Sequence, residues 1–325
     1  WVLTQQVRIG QSWVEPQRTQ LRVTKIRTQS SLRTRREEES LPNLCEFFSS
    51  TSAFRNLLNV EQPTMATEVT LTADGPVARV KFSGEKGIQL LGAGTRDRLH
   101  EVLGKIEQRG EINVVVFEAE GRTFIAGADI NELRSLNSET GFENSQQGQA
   151  LMNRVAALSA TTIAAIHAAC AGGGTELALA CDMRIAAEDA VIGLPETRIG
   201  VLPGWGGTVR ATRLLGGAVA RRVILTGELV PAATALQLGL VDQVVTEEEF
   251  RNFIDERINL VASRGPHARA VAKKLIAQFE GPDAEAQFLA ESKAFAECYP
   301  TGEPELGMAA FLAKGDADWA SLNDS

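Results

Sequence analysis

Cysteine is scarce and scattered in this 325-residue chain: Cys45, Cys170, Cys181 and Cys298 form no CxxC pair and no ladder of closely spaced half-cystines. That spacing argues against a disulfide-stapled secreted module and against a cysteine-ligated zinc site, and it points to a reducing compartment, the cytoplasm by default. Positive charge is also in deficit, because 33 Lys and Arg against 41 Asp and Glu leave a formal net charge of −8. A chain of that sign has no general attraction for nucleic acid or for an anionic membrane surface, although a local basic patch can still hold a phosphate. Long apolar runs are missing, since the longest windows, such as 163–171, fall far short of the roughly 20 residues of a membrane helix. Two glycine signatures are absent too. There is no GxGxxG to seat a dinucleotide, and the glycines at 172–174 are followed by Thr175-Glu176 where a Walker loop needs Lys and then Ser or Thr. What remains is a globular composition, 44% apolar and 23% charged, able to bury the core of one large domain or of a domain with an appendage.

Residues 1–64 stand apart. They are rich in Arg, Gln, Ser and Thr, contain RTRREEES at 33–40, and show no sustained period of 2 or 3.6 that gives a face to bury. The segment reads as a disordered extension, or as sequence upstream of a true start at Met65, the first methionine. An Arg- and Ser-rich opening also suits an organelle import signal, against which the acidic run Glu37–Glu39 counts.

Regular patterning begins at about residue 69. TEVTLTADGPVARVKF alternates apolar and polar residues around a Gly-Pro turn and predicts a hairpin over 69–82. Leu99, Val102, Leu103 and Ile106 share one face of a helix over 94–109, and NVVVFEAE predicts a buried strand at 113–120. A long helix around 144–158, a strand at 161–168, a helix over TELALACD and a strand over MRIAAEDA follow. Strands alternating with helices predict an α/β sheet with crossover connections. Beyond AATALQLG the pattern is helix after helix: 248–264, 268–279 with PHA at its start, 283–299 and 304–314.

Three segments carry the chemistry. In ACAGGGTELALACD a buried strand meets three glycines and then a helix, so the backbone can approach a ligand closely. The free N–H groups of the first helical turn favour negative charge there. Glu176 follows in that turn, where acidic residues are common for helix-dipole reasons alone. FIAGADINEL (124–133) supplies a second glycine turn after a buried strand, and GLPETRIGVLPGWGGTVR (193–210) supplies a second carboxylate, Glu196, in a loop rich in Gly and Pro.

Taken in chain order, FIAGADINEL, ACAGGGTELALACD and GLPETRIGVLPGWGGTVR resemble the enoyl-CoA hydratase/isomerase (crotonase) superfamily from about 68 to 314, with GLPET, LPGWGGTVR and QGQALMNRVAAL most like the hydratase region of multifunctional fatty-acid oxidation proteins. The resemblance implies an α/β fold, a crotonase-like spiral of repeated ββα units, with a catalytic core over 65–260. A helical region over 261–325 would serve oligomerisation and active-site closure. It implies that Gly173 and Ala128 donate backbone N–H groups to a thioester oxygen, that Glu176 is the base toward water, and that Glu196 delivers a proton to C2. It implies that Ala126, Asp129, Ile130, Gly172, Pro195 and Trp205 border the substrate, with Trp205 shortening or reshaping the acyl pocket, and that Lys273 or Lys274 meets the coenzyme A phosphates.

The implied activity is reversible syn hydration of trans-2-enoyl-CoA to 3-hydroxyacyl-CoA. Isomerisation of a 3-enoyl-CoA and a non-catalytic acyl-CoA-binding subunit remain the alternatives. No metal and no cofactor are implied, coenzyme A being part of the substrate. A homotrimer or hexamer is implied, with a 3-hydroxyacyl-CoA dehydrogenase as a partner. Two departures leave the chemistry untouched: GIQLLGAGTRD at 87–97 replaces an Asn-Ala-Leu-like segment, and Thr161-Thr162 replaces Lys-Pro.

Other conspicuous residues have plain readings. His167 ends an apolar strand with no nucleophile and orienting acid beside it, and reads as a packed histidine. Cys170 reads as a small buried hydrophobe, Asp129 as the side chain that holds its turn, and Lys86 as a solvated loop lysine.

Overall fold

The computed structural model describes residues 67–278, 301, 302, 306 and 318–323, all within the second of the chain's two units, Gln62–Ser325. The first element is the hairpin of β1 (Thr67–Asp74) and β2 (Val77–Gly84), in register from Thr67 opposite Gly84 to Asp74 opposite Val77. Its alternation sends Val69, Ala78, Val80 and Phe82 inward, all fully buried. Helix α1 (Ala93–Glu107) buries Leu99, Val102, Leu103 and Ile106, the one-sided stripe its spacing predicts.

The large sheet continues with β3 (Val114–Ala119), β5 (Thr161–Ile166), β7 (Met183–Ala187) and β10 (Gln243–Val245), in the order β1-β2-β3-β5-β7-β10. Every pair from β2 onward is parallel. A parallel sheet is covered on both faces, so its strands lose the alternating pattern. Val115, Phe117, Ala164 and Ile166 enter the main core. Their neighbours Val114, Val116, Ile163 and Ala165 pack on the other face against Ile254, Ile258 and Val261 of α7 (Glu247–Ala262).

A second, smaller sheet comprises β4 (Thr123–Ile125), β6 (Ala169–Ala171), β8 (Val191–Gly193) and β9 (Val230–Pro231), in that order. Each long strand is followed within a few residues by a short strand of this sheet: β3 by β4, β5 by β6, β7 by β8. Each short strand leads to helix: α2 (Ile130–Arg134) and α3 (Ser138–Ala157) after β4, α4 (Gly173–Ala180) after β6, and α5 (Gly207–Thr226) after β8. Three successive ββα turns therefore wind into the crotonase-like spiral. The chain then passes through α6 (Ala232–Leu238), α7 and α8 (Pro266–Gln278). No helix of the described residues is long and apolar enough to cross a membrane.

Some expected boundaries moved. The single strands expected at 161–168 and 183–190 are each cut short, β5 at Ile166 and β7 at Ala187, with the chain changing sheets just beyond. Three-residue strands are too short to show a period. Helix α3 starts at Ser138, six residues before the expected start, because Asn137 and Thr140 form a capping box. Helix α5 overlaps the end of the segment expected as a Gly- and Pro-rich loop; Gly206, Gly207, Gly216 and Gly217 mask it, and Gly216 kinks it at φ +74°. The helix expected at 283–299, and that at 304–314 apart from residue 306, lie outside the described residues. Pro266 opens α8 as PHA predicts.

Candidate active site

Each glycine of the 172–174 turn has its own cause. Gly172 adopts φ +52° and ψ −123°, a conformation essentially reserved for glycine. A β-carbon on Gly173 would lie 2.7 Å from Trp205 Cζ3, and one on Gly174 would lie 2.3 Å from Ile125 O. The turn is tied to its neighbours, with Gly172 N–H donating to Gly193 O at 3.1 Å. The fully buried Thr175 hydroxyl lies 2.9 Å from Cys170 O and 2.8 Å from Gly193 O. Helix α4 thus starts at Gly173, two residues before the expected TELALACD.

The two N–H groups are aimed by the planar trans peptide, which points N–H and C=O in opposite directions. Gly172 O accepts from Glu176 N–H at 2.9 Å inside the helix, so Gly173 N–H points out of its amino end. Gly127 O accepts from Leu91 N–H at 2.8 Å, so Ala128 N–H points away from Leu91. The two groups are neighbours: a β-carbon on Gly173 would be 3.6 Å from Ala128 N, and one on Gly127, at φ +122°, would be 3.8 Å from Gly173 N. Paired N–H donors beside a helix amino end form a place for an oxyanion.

Glu176 is 2% exposed. Its Oε1 accepts from Trp205 N–H at 2.7 Å and from Gly207 N–H at 2.8 Å. Gly207 is glycine for space, since a β-carbon there would sit 2.9 Å from that oxygen. Both oxygens of Glu196 are buried and have no hydrogen-bond partner within the protein. Its Oε1 would come within 3.3 Å of a β-carbon on Gly172, which puts the second carboxyl on the same turn as the first. Burial pushes Glu176 up to about 7, against the pull of the Gly207 and Trp205 N–H groups and of Arg210. Burial, and then the charge of Glu176, push Glu196 up to about 8. Both carboxyls are raised, the charge of one disfavours ionisation of the other, and the two backbone N–H groups on Glu176 Oε1 favour its ionised form.

The remaining residues singled out in the sequence fall into two groups. Ala126 N–H donates to Gln89 O at 2.8 Å and leads into the Gly127 turn. Asp129 caps α2, accepting from Asn131 N–H at 2.8 Å, and Ile130 opens that helix half-buried. Pro195 precedes the 3₁₀ turn Glu196–Ile199 and accepts from Arg198 N–H at 2.9 Å. The lysines stand elsewhere. Lys273 Nζ pairs with Asp182 at 2.7 Å and donates to Ala160 O at 3.0 Å, at the amino ends of β5 and β7 and the opposite end of α4 from the glycine turn. Its ammonium ties α8 to the sheet, and within this chain it does not face the carboxyl pair. Lys274 is exposed on α8.

His167 places Nε2 3.0 Å from Gly121 O, and burial pushes the Cys170 thiol up to about 12, so that thiol stays protonated. Sequence reasoning missed Thr175, the Trp205 and Gly207 N–H groups, and the buried side chains Arg96 and Asn144. Only the paired glycines at 206–207 hinted at a tight approach.

A spiral of ββα turns that brings two buried carboxyls beside a pair of backbone N–H donors is the class of fold and site this chain presents. Residues 72–322 match the family Enoyl-CoA hydratase/isomerase, and the chain belongs to that family. It is 35% identical over 247 residues to a short-chain-enoyl-CoA hydratase of Clostridium acetobutylicum, covering 76% of this chain and 95% of that one. It is 30% identical over 254 residues to a crotonyl-CoA hydratase of Syntrophomonas wolfei, covering 78% and 98%. The crystal structure of an enoyl-CoA hydratase from Bacillus anthracis superposes with a TM-score of 0.73 at 33% identity, over 78% of this chain and 98% of that one.

The raised carboxyls carry a stability consequence. Between the ordinary value of 4.5 and about 8, the folded protein keeps a proton on Glu196 that the unfolded chain releases. The unfolded state then binds fewer protons, and stability falls as pH rises through that window. Glu196→Gln removes the penalty. Its Tm should exceed the parent's by about 4 °C at pH 9, the scale for a change on the order of 1–2 kcal/mol in a domain of this size, and should match it near pH 5. Thermal melts at both pH values check this, and a difference independent of pH would contradict the buried-proton account.

Proposed function

We propose that this chain catalyses the reversible syn addition of water to trans-2-enoyl-CoA, giving 3-hydroxyacyl-CoA. The observation that carries the reading is the pair of buried glutamates on one glycine turn, beside the neighbouring N–H groups of Ala128 and Gly173. In the scheme those donors receive the thioester oxygen and stabilise the enolate that develops on it. Ionised Glu176, its Oε1 fixed by two backbone donors, takes a proton from water as the water oxygen bonds to C3. Protonated Glu196 gives its proton to C2, and the charges balance. Coenzyme A enters as part of the substrate, and its remote contacts position the reacting carbonyl.

The test is incubation of purified protein with a short trans-2-enoyl-CoA, followed by product analysis. A 3-hydroxyacyl-CoA is expected. A shifted alkene without net water would mean an isomerase, and no turnover a non-catalytic acyl-CoA-binding subunit. A free enoic acid of equal length should show kcat/KM lower by at least 100-fold, and comparable values would remove coenzyme A from the scheme.

The remaining expectations belong to the same reading. Among them are a kinship with the hydratase region of multifunctional proteins, supported by GLPET and LPGWGGTVR, although the relatives compared above are named as hydratases alone. The others are an extension over 1–64 outside a core at 65–260, a homotrimer or hexamer built through residues 261–325, and a cytoplasmic setting. A 3-hydroxyacyl-CoA dehydrogenase is a fitting partner because it would consume the C3 alcohol formed here.

A further inference from the structure

Trp205 is 4% exposed and is wedged between two helices. One edge of its ring lies against Gly173, where a β-carbon would meet Cζ3 at 2.7 Å and Cε3 at 3.0 Å. The other lies against Gly148 of α3, where a β-carbon would meet Cδ1 and Cγ at 2.1 Å. Glycine at both places leaves room for the indole. Polar side chains then fix it in a closed circuit. Trp205 Nε1–H donates to Asn144 Oδ1 at 3.1 Å, Asn144 Nδ2 donates to Glu132 Oε1 at 3.0 Å, and Arg96 Nη2 donates to the same oxygen at 2.5 Å. The Arg96 guanidinium lies over the indole, 5.2 Å from the ring centroid, which closes the loop. Arg96 and Asn144 are buried and Glu132 is half-buried, so the circuit holds the indole from its sheltered side.

We infer that Trp205, braced by Asn144, Glu132 and Arg96, is a specificity-determining wall that limits the substrate to short acyl chains of about four to six carbons. The inference rests on the hydratase reading above. With the thioester oxygen on Ala128 and Gly173, and C2 and C3 between Glu176 and Glu196, carbons beyond C3 must leave past whatever borders Gly173 and Glu176. The ring edge of Trp205 borders Gly173, and its backbone N–H on Glu176 Oε1 anchors the loop that carries the ring beside the carboxyl. A mobile side chain there could swing aside for a longer chain, but an indole held at Nε1 and stacked under a buried guanidinium cannot do so cheaply. Each further methylene that found apolar burial would be worth about fourfold in binding, and the wall denies that gain.

The experiment measures kcat/KM for trans-2-enoyl-CoA substrates of 4, 6, 8, 10 and 12 carbons with the parent, Trp205→Phe and Trp205→Ala. The parent should fall at least 100-fold from 4 to 10 carbons. Trp205→Ala should raise the ratio of the 10-carbon to the 4-carbon value at least 30-fold, and Trp205→Phe should raise it less. Using the ratio cancels any general loss from disturbing the Glu176 hydrogen bonds, which a merely structural role would produce equally at every length. If Trp205→Ala does not fold, the parent's profile and Trp205→Phe still decide. A parent equally active from 4 to 12 carbons, or an unchanged ratio in folded variants, overturns the wall. A parent inactive at every length overturns the hydratase reading and the wall with it.

Discussion

Glu176→Gln should lower kcat for hydration of a short enoyl-CoA by roughly 100-fold or more, with little change in thioester binding, and Glu196→Gln should do the same. General acid–base groups contribute on that scale, and the amide keeps the shape of the carboxyl while losing its proton chemistry. The two variants fail for different reasons. In Glu176→Gln the side-chain oxygen still accepts from Trp205 and Gly207 N–H, so the loop stays in place and only the base is lost. In Glu196→Gln the replaced carboxyl has no hydrogen-bond partner within the protein to lose, so what disappears is the donor to C2. The double variant should lose far less than the product of the single losses, because both groups act on one hydration event.

The parent's kcat/KM should follow a bell-shaped pH profile, rising as Glu176 ionises near 7 and falling as Glu196 loses its proton near 8, with the two limbs belonging to the coupled pair. Steady-state kinetics on folded variants check all of this. Near-parent turnover in both single variants would remove the two-carboxyl mechanism and leave the glycine turn serving another reaction.

Gly173→Val should abolish detectable hydration while both acids remain. Any β-carbon at this position comes 2.7 Å from Trp205 Cζ3 and 3.0 Å from Cε3, distances at which something must shift. The indole is held by Asn144 and Arg96, so the turn yields first and Gly173 N–H leaves its aim. Losing one such donor in other enzymes costs about 3–4 kcal/mol, roughly 100- to 1,000-fold. Here the displaced turn also carries Gly172, which packs against Glu196, so the loss should be larger than for one donor. Circular dichroism and melting establish that the variant is folded, and product formation is then followed at substrate concentrations well above the parent's KM. Turnover within tenfold of the parent would mean that Gly173 N–H does not face the thioester oxygen.

Much of this is legible in the residues alone. The hairpin, the stripe of α1 and the doubly buried β3 and β5 follow from periodicity alone, because local spacing dictates which residues share a face. The glycine turn and both glutamates were also plain in the sequence, since a helix amino end with a free backbone and an adjacent carboxylate is a local arrangement. The short strands β4, β6, β8 and β9 were not legible: two or three residues carry no period, and their pairing partners lie up to about fifty positions away.

The protonation order of the acids was equally beyond reach. Neither residue type nor spacing says that both carboxyls are buried, that Glu176 Oε1 receives the Trp205 and Gly207 N–H groups, or that the charge of Glu176 bears on Glu196. The ion pair of Lys273 with Asp182 was equally hidden, because it joins α8 to the start of β7 across about ninety positions. The circuit of Arg96, Glu132, Asn144 and Trp205 joins three helices and a loop across more than a hundred residues. The glycine turns and the two glutamates are local features and could be read from the residues alone. Which carboxyl oxygens are desolvated, which N–H groups meet them and what packs against Gly173 came from the fold, because burial and electrostatics depend on neighbours brought in from elsewhere in the chain.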